Sequence, residues 1–178
     1  MTQPSSNKLT LLDWLDTQED NMVTLLRDLV NIDSNSFDKA GVDRVADRLG
    51  EFFDEQSIPF ETIPIATHGD GMRAVVAGGN GNRPILLCGH RDTVFPTGEV
   101  EKRPFEVRDG KAYGPGVADM KPGLVINAFI LAAFNKFGGH PNPLVGLFTG
   151  DEEIGSPTSQ DVIIAEAKKA RLAFNSEP

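Results

Sequence analysis

Three stretches of the chain carry apolar residues at helical spacing. In the first, from Leu11 to Val30, the polar segment DTQED interrupts the pattern, so a break into two helices is expected. The second, from Val42 to Glu55, places its apolar side chains in one stripe. The third runs from Met120 to Phe137 and is predicted to begin with Asp119 as an acidic N-cap and to end at a glycine pair. The pattern therefore predicts helices that pack against a shared core.

Short apolar segments between these helices predict strands. PILLCGH at 84–90 and PLVGLFTG at 143–150 are apolar on both faces, which is typical of central strands covered by helices on each side. FEVRDGKAYG predicts a hairpin that turns at Asp109–Gly110. The other predicted elements are strands at 60–65, 73–77 and 171–176 and a short helix at 160–169. Strands that alternate with helices predict an α/β fold with three layers, α/β/α, around a mixed, largely parallel central sheet.

Charge and composition narrow the range of partners. The chain has 178 residues, of which 26 are acidic and 17 basic, and this net charge of −9 argues against nucleic acid as a partner. The longest apolar run, around 124–134, is shorter than the roughly 20 residues that a membrane-spanning helix needs. No signal peptide is evident at the start, so we expect a cytoplasmic protein that does not bind membranes. Residues 1–8 are expected to be disordered, and the single cysteine, Cys88, to act as a small buried hydrophobe.

Acidic and imidazole side chains follow the predicted strands. In an open α/β sheet, ligands bind in the crevice beyond the carboxyl ends of the strands. Desolvating several carboxylates together is costly unless cations neutralise them, and imidazole with carboxylate suits zinc or a similar divalent ion. Four separate segments supply the candidate residues, which are His90, Asp92, Asp119, Glu152, Glu153 and Glu177.

The spacing within these segments suggests a division of roles. His90 and Asp92 point the same way from an extended segment, with Arg91 on the opposite side, and a carboxylate beside a metal-bound imidazole can fix its ring. Of the two adjacent glutamates after the second central strand, one could bind metal while the other accepts a proton from water. Each motif alone also has a plain structural interpretation. HxD suits a strand-end histidine with a hydrogen-bonding neighbour, DEE suits a solvated loop, and Asp119 suits a helix cap.

Four motifs in order, GHRDTVF, GPGVADMKPG, TGDEEIGS and the final SEP, resemble the successive motifs of the co-catalytic zinc metallopeptidases. This superfamily includes glutamate carboxypeptidase, acetylornithine deacetylase, succinyl-diaminopimelate desuccinylase and aminoacylase. The stretch EKRPFEVRDGKAYGPGVADMK is most similar to the glutamate carboxypeptidase branch. The resemblance, which begins at about Leu11, implies a hydrolase of amide or peptide bonds that acts on small peptides or N-acyl amino acids. It also implies two Zn²⁺ ions, with Co²⁺ or Mn²⁺ as alternatives.

Carried over by position, the resemblance implies a role for each candidate residue. Asp92 would orient the metal-bound imidazole, and Glu152 would be the general base. The peptide bond after the bridging aspartate is typically cis in this family, so the Asp119–Met120 bond is expected to be cis. The implied metal ligands are His90 and Glu177 on one zinc ion, Glu153 on the other, and Asp119 between both.

The chain also departs from the family pattern. Arg91 stands where an apolar residue is frequent and Pro122 where a glycine is usual, but neither position is a ligand. Family members are considerably longer, with an inserted dimerisation domain and a returning segment that supplies the last zinc-binding histidine, which neither His68 nor His140 is expected to replace. Residues 9–178 are therefore expected to be the N-terminal half of a catalytic domain, from a homodimeric parent, with an incomplete metal site and little activity. The alternative is a non-catalytic metal-binding or interaction module derived from such an enzyme.

Overall fold

The computed structural model describes residues 10–79 and 81–178, so the predicted disordered start at 1–8 lies outside the described residues. The helices in this part are α1 Leu11–Asp16, α2 Glu19–Val30, α3 Lys39–Glu55, α4 Glu99–Lys102, α5 Lys121–Lys136 and α6 Gln160–Lys169. The strands are β1 Phe60–Ile63, β2 Gly71–Val76, β3 Ile85–His90, β4 Glu106–Arg108, β5 Lys111–Tyr113, β6 Leu144–Thr149 and β7 Leu172–Asn175. A single turn of 3₁₀ helix covers Glu152–Ile154.

The central sheet has five strands in the order β1-β2-β6-β3-β7. β3 runs parallel to both β6 and β7, whereas β2 is antiparallel to β1 and β6. The parallel register aligns His90 at the end of β3 with Thr149 at the end of β6. The three parallel strands therefore deliver the residues that follow them to one edge of the sheet.

Apolar side chains cover both faces of this sheet. On one face α2, α3 and α5 form the larger core, which includes Leu29, Phe53 and Phe129 and packs on Leu87 and Phe148 of the sheet. On the other face the smaller core joins sheet residues to α6, with the members Leu86, Val145, Leu147, Val162, Ile163 and Ala170. The predicted α/β class with three layers and a mixed sheet is confirmed. Among the described residues, no helix combines the length and apolar character needed to cross a membrane.

Several local predictions are confirmed at nearby boundaries. The helical pattern of the N-terminal region breaks between α1 and α2, as the polar segment indicates. The hairpin β4–β5 turns at Asp109 and Gly110, whose φ angles of 51° and 72° suit a tight left-handed turn. Pro122 lies in the first turn of α5, where its missing N–H has no helical partner to lose. The short helix α4 was not predicted from the sequence.

The prediction that Asp119 caps α5 is wrong. Met120 occupies the cap position, and no side chain there accepts a hydrogen bond from the first turn. The Asp119 carboxylate instead lies 3.1 Å from the Nε2 atom of His90. The acidic residue before this helix therefore belongs to a cluster of polar groups at the sheet edge.

Candidate metal centre

Four segments of the chain meet around the ring of His90. From its Nε2 atom the distances are 3.1 Å to Asp119 Oδ1, 3.5 Å to Glu177 Oε1 and 3.7 Å to Glu152 Oε2. His90 ends β3, Asp119 precedes α5, Glu152 follows β6 and Glu177 follows β7. The predicted convergence of these residues at the carboxyl edge of the sheet is thus present in the structure.

Asp92 sets the orientation of the His90 ring. The ring is almost fully buried, and its Nδ1 atom lies 3.2 Å from Asp92 Oδ1 and 3.0 Å from the Asp92 carbonyl oxygen. Because both of these atoms are acceptors, Nδ1 carries a proton and donates it. When the ring is neutral, its Nε2 lone pair therefore faces the acidic groups, which is the tautomer that a metal ligand needs.

Asp92 is fully buried and receives hydrogen bonds from more than its histidine neighbour. The Ser36 hydroxyl donates to Oδ2 at 2.7 Å, and the backbone N–H groups of Glu152 and Glu153 donate to its carboxylate at 3.1 and 3.2 Å. Burial raises the pKa of Asp92, but the hydrogen bonds from His90 and Ser36 outweigh it, and the net pKa is lowered. The group is therefore a carboxylate that anchors the glutamate-bearing turn as well as the imidazole.

The electrostatics of the cluster favour a cation. Burial raises the pKa of Glu153 and of Glu177, the charge of His90 lowers it, and neighbouring carboxylates including Asp119 raise it again, so that the net pKa of both groups is raised. Burial lowers the pKa of the His90 ring, but the hydrogen bond and charge of Asp92, helped by two glutamates, prevail and raise it to about 9. The site thus draws positive charge to the space between its carboxylates. A divalent ion at that point would neutralise the same repulsion.

The donor geometry fits one such ion. One ligand atom each from His90, Asp119 and Glu177 lies within 4.8 Å of the others. Within residues 10–79 and 81–178 this is the single group of three or more histidine, cysteine or acidic residues that is so close together. Imidazole nitrogen with two carboxylate oxygens is a donor set that zinc accepts, with room for water or substrate in a further position.

Glu153 lies apart from this group of three. It lines a cavity of about 360 Å³ together with Asp119, Val94 and Phe95. A second ion between Asp119 and Glu153 would have two ligands from the described residues, so the two-ion arrangement stays a prediction. The other two histidines do not lie in this acidic cluster, since His68 packs beside Phe37 and His140 beside Phe134.

The predicted cis peptide bond is present between Asp119 and Met120. Met120 is fully buried, and its Sδ atom accepts a hydrogen bond from the His90 backbone N–H at 3.2 Å. Arg91 lies away from the cluster, as predicted. Its fully buried guanidinium donates to the carbonyl groups of Val42 and Asp70, and burial lowers its pKa to about 10.

Two supporting residues escaped the sequence analysis. Asn127 lies inside α5 and donates to the Cys88 carbonyl at 2.9 Å, while its Oδ1 accepts from the Ser176 hydroxyl at 2.8 Å. Asp151 is fully buried and accepts hydrogen bonds from the backbone and hydroxyl groups of Thr158 and Ser159. A lone amide within the apolar stretch LVINAF was the signal for Asn127. Asp151 has no comparable local signal, because it stands beside the two glutamates of the same acidic motif.

Lys121 also supports the cluster, by fixing the start of α5. Its ammonium is buried and donates to the carbonyl oxygens of Leu29 and Ile32 at 2.9 and 2.8 Å, where α2 ends. Burial lowers the pKa of Lys121 to about 7. The lysine therefore ties the start of α5, next to Asp119, to the helix layer behind it. Cys88 is partly buried in β3, and burial raises the pKa of its thiol, in line with the predicted unreactive role.

Known proteins are similar to this chain in sequence. The sequence is 32% identical over 163 residues to carboxypeptidase G2 from a Pseudomonas species, covering 88% of this chain and 38% of that protein. It is 40% identical over 126 residues to a succinyl-diaminopimelate desuccinylase of Burkholderia ambifaria, covering 65% of this chain and 32% of that protein. The chain therefore spans about a third of the length of these relatives.

Solved structures share the arrangement of helices and strands. Human carnosine dipeptidase 1 has a TM-score of 0.79 and 16% identity, over 94% of this chain and 40% of that one. An M20 family metallo-carboxypeptidase of Sulfolobus solfataricus has a TM-score of 0.73 and 21% identity, over 88% of this chain and 37% of that one. The sequence model of peptidase family M20/M25/M40 matches residues 86–178, which carry all six candidate site residues. The chain belongs to peptidase family M20/M25/M40.

Proposed function

We propose that the protein to which this chain contributes is a metal-dependent hydrolase of amide or peptide bonds, of the carboxypeptidase or deacylase type. The observation that carries the proposal is the meeting of His90, Asp119 and Glu177 within 4.8 Å of one another. Glu152 lies beside this group, 3.7 Å from the same imidazole nitrogen. A metal position with an acidic group at its side is the arrangement that hydrolysis by activated water requires.

The proposed ligand roles are those that the family resemblance implies, and the grouping of three of these residues supports them. His90 and Glu177 would hold a first zinc ion, Glu153 would contribute to a second, and Asp119 would be shared by both. The complete protein would need a further ligand for the second ion, because a catalytic zinc normally has three protein ligands. Cobalt or manganese would suit the same mixture of imidazole and carboxylate. On its own, this chain is expected to bind metal weakly and to hydrolyse little or nothing.

A bound ion would polarise the scissile carbonyl and lower the pKa of water from about 15.7 towards 7. Glu152 supplies the proton transfers: its half-exposed carboxylate accepts the proton of the attacking water and returns it to the leaving amine. Asp92 keeps the His90 ring in place through Nδ1, and its bonds to the backbone N–H groups of residues 152–153 fix the main chain that carries the general base relative to that ring.

The proposed substrates are small peptides or N-acyl amino acids. The relatives and the structural neighbour are named as a carboxypeptidase, a desuccinylase and a dipeptidase. The net charge of −9 gives no support to binding of nucleic acid. A cytoplasmic location and a homodimeric assembly complete the proposal, the second on the strength of the family resemblance alone.

Zinc binding and turnover test the proposal separately. Equilibrium dialysis followed by elemental analysis should give about one weakly held zinc per chain, and Asp119→Asn should abolish this binding. In the complete protein, Glu152→Gln should keep the bound metal and lose about 10²- to 10⁴-fold in kcat, since it removes the proton acceptor. Metal binding without turnover in the complete protein would favour the alternative of a non-catalytic metal-binding module. Two tightly held ions with turnover in this chain alone would contradict the expected incompleteness.

A further inference from the structure

The connection between α2 and α3 runs directly beneath the metal centre. The Thr93 backbone N–H donates to the Ser34 carbonyl at 2.8 Å, and Asn35 forms a parallel β-bridge with Thr93. The Asn35 side-chain amide donates to the Phe95 carbonyl at 3.0 Å. The connection is therefore fixed against the segment that follows His90, on the side of Asp92.

Ser36 is the residue of this connection that reaches the site. It is 2% exposed, and its Oγ lies 2.7 Å from Asp92 Oδ2, a separation of 56 residues along the sequence. An ionised carboxylate can only accept hydrogen bonds, so the serine hydroxyl is the donor. Such a bond to a charged acceptor is stronger and more directional than one between neutral groups.

The hydrogen bonds of Asp92 are evenly divided between its two oxygen atoms. Oδ1 faces His90 Nδ1 at 3.2 Å and the Glu152 N–H at 3.1 Å. Oδ2 accepts from Ser36 at 2.7 Å and from the Glu153 N–H at 3.2 Å. Rotation of the carboxylate would lengthen several of these contacts together. The Ser36 hydroxyl makes the shortest of them, and it is the one donor that comes from outside the segments carrying proposed ligands or the base.

We propose that Ser36 is a positioning residue of the metal centre, whose hydroxyl holds the Asp92 carboxylate and thereby the His90 ring and the backbone of residues 152–153. It does not touch the metal or the substrate. The part of this proposal that concerns metal affinity rests on the proposed function. The part that concerns the placement of groups does not, because it applies to the metal-free chain as well.

Ser34 supplies a matched control. It lies two residues earlier in the same connection and is 1% exposed, and its Oγ has no hydrogen-bond partner among residues 10–79 and 81–178. Ser34→Ala and Ser36→Ala therefore remove the same atom from equally buried positions of one segment. Only Ser36→Ala removes a donor from Asp92. Ser36→Thr keeps the hydroxyl and serves as the rescue variant.

The first experiment measures zinc affinity by competition with a chromophoric chelator, with the full 178-residue chain. Loss of a group that supports a metal-bound histidine typically weakens affinity by about 10- to 100-fold, and Ser36 acts one step further out, so about tenfold is expected for Ser36→Ala. Ser34→Ala should stay within about twofold of the wild type, and Ser36→Thr should bind more tightly than Ser36→Ala. Equal weakening by both alanine variants, or no weakening by Ser36→Ala, would overturn the proposal.

The second experiment needs no metal. In ¹H–¹⁵N NMR spectra of the metal-free chain, Ser36→Ala should shift the amide signals of Glu152 and Glu153 and the ring signals of His90, whereas Ser34→Ala should leave them in place. If the complete protein bound no zinc while these shifts appeared in the metal-free chain, the proposed function would fail and the positioning role of Ser36 would stand. Unshifted signals at all three residues in Ser36→Ala would refute the positioning role whether or not zinc binds.

Discussion

Replacing Asn127 with alanine should lower both the stability of the fold and the zinc affinity, because Asn127 supports the segment that carries Glu177. A control variant that lowers stability alone distinguishes the two effects. Asn127 donates to the Cys88 carbonyl in β3 and accepts from Ser176, the residue immediately before Glu177. The variant therefore removes the hydrogen bond that anchors the Ser176 side chain, next to Glu177, to α5. Asn135 provides the control: it lies two turns later on α5 and donates to the Gln56 carbonyl at 2.9 Å, far along the helix from the acidic cluster.

The expected loss of stability can be worked from these contacts. Two hydrogen bonds are lost, each worth about 1 kcal/mol net. The Cys88 carbonyl and the Ser176 hydroxyl are left without these partners, which adds about 1 kcal/mol to the loss. Alanine is a better helix former than asparagine and returns about 0.5 kcal/mol. The free energy of unfolding should therefore fall by about 2.5 kcal/mol, which corresponds to a decrease in Tm of about 5–10 °C for a domain of this size. Asn135→Ala loses a part-buried bond and a long, exposed one of 3.5 Å to the Ser57 carbonyl, and should cost about 1 kcal/mol.

The difference between Asn127→Ala and Asn135→Ala should be larger in zinc affinity than in Tm. Asn127→Ala loosens the segment that carries one of three proposed ligands, so a five- to tenfold weaker affinity is expected, in line with other groups that support ligands. Asn135→Ala should leave the affinity unchanged. Thermal unfolding of the metal-free chain and a zinc titration of each variant make the comparison. If Asn127→Ala lowered Tm as expected but bound zinc as the wild type does, the idea that Asn127 positions Glu177 would be wrong.

Two further predictions concern other buried carboxylates. Burial raises the pKa of Glu166, but bonds from Lys169 and Arg73 outweigh it and lower the net pKa, so its stabilising effect is present above about pH 4.5 and fades as the pH falls. Glu166→Gln should therefore cost about 1–2 kcal/mol at pH 7 and less at pH 4 in urea unfolding, and an equal cost at both would contradict the assignment. Asp151→Asn should cost about 2–3 kcal/mol, because an amide cannot accept all the donors of residues 158–159, and should speed amide hydrogen exchange there. Unchanged exchange would refute that role.

The central strands and the site were predictable because strong local patterns coincide there. The segments ending at His90 and Thr149 are apolar on both faces, and a parallel sheet forces the ends of such strands to the same edge. Once the strands were recognised, the acidic residues after them had to converge. The spacing alone left the role of each candidate residue open, and the resemblance of the four ordered motifs to the family implies these roles.

Contacts between residues far apart in the sequence were not predictable in the same way. The helix α4 has four residues and depends on Asp33, which accepts from the N–H groups of Gly98 and Val100 some 65 residues away. Ser36 has no local feature that separates it from Ser34. Acidic residues before helices usually cap them, so the local pattern around Asp119 predicts a cap as well as a ligand, and the 3.1 Å contact with His90 in the folded chain decides between the two. In each case the deciding partner comes from another segment.

The anchoring of residues 152–153 has a consequence for the use of this scaffold. Asp92 holds Glu152 and Glu153 by their main-chain N–H groups, and their side chains are left out of that attachment. The carboxyl group of Glu152, the proposed general base, can therefore be exchanged for another side chain while the loop keeps its shape. A form of the complete protein altered at residue 152 would be suited to capturing an intact substrate for identification, and new chemistry could be introduced at that position without redesigning the surrounding framework.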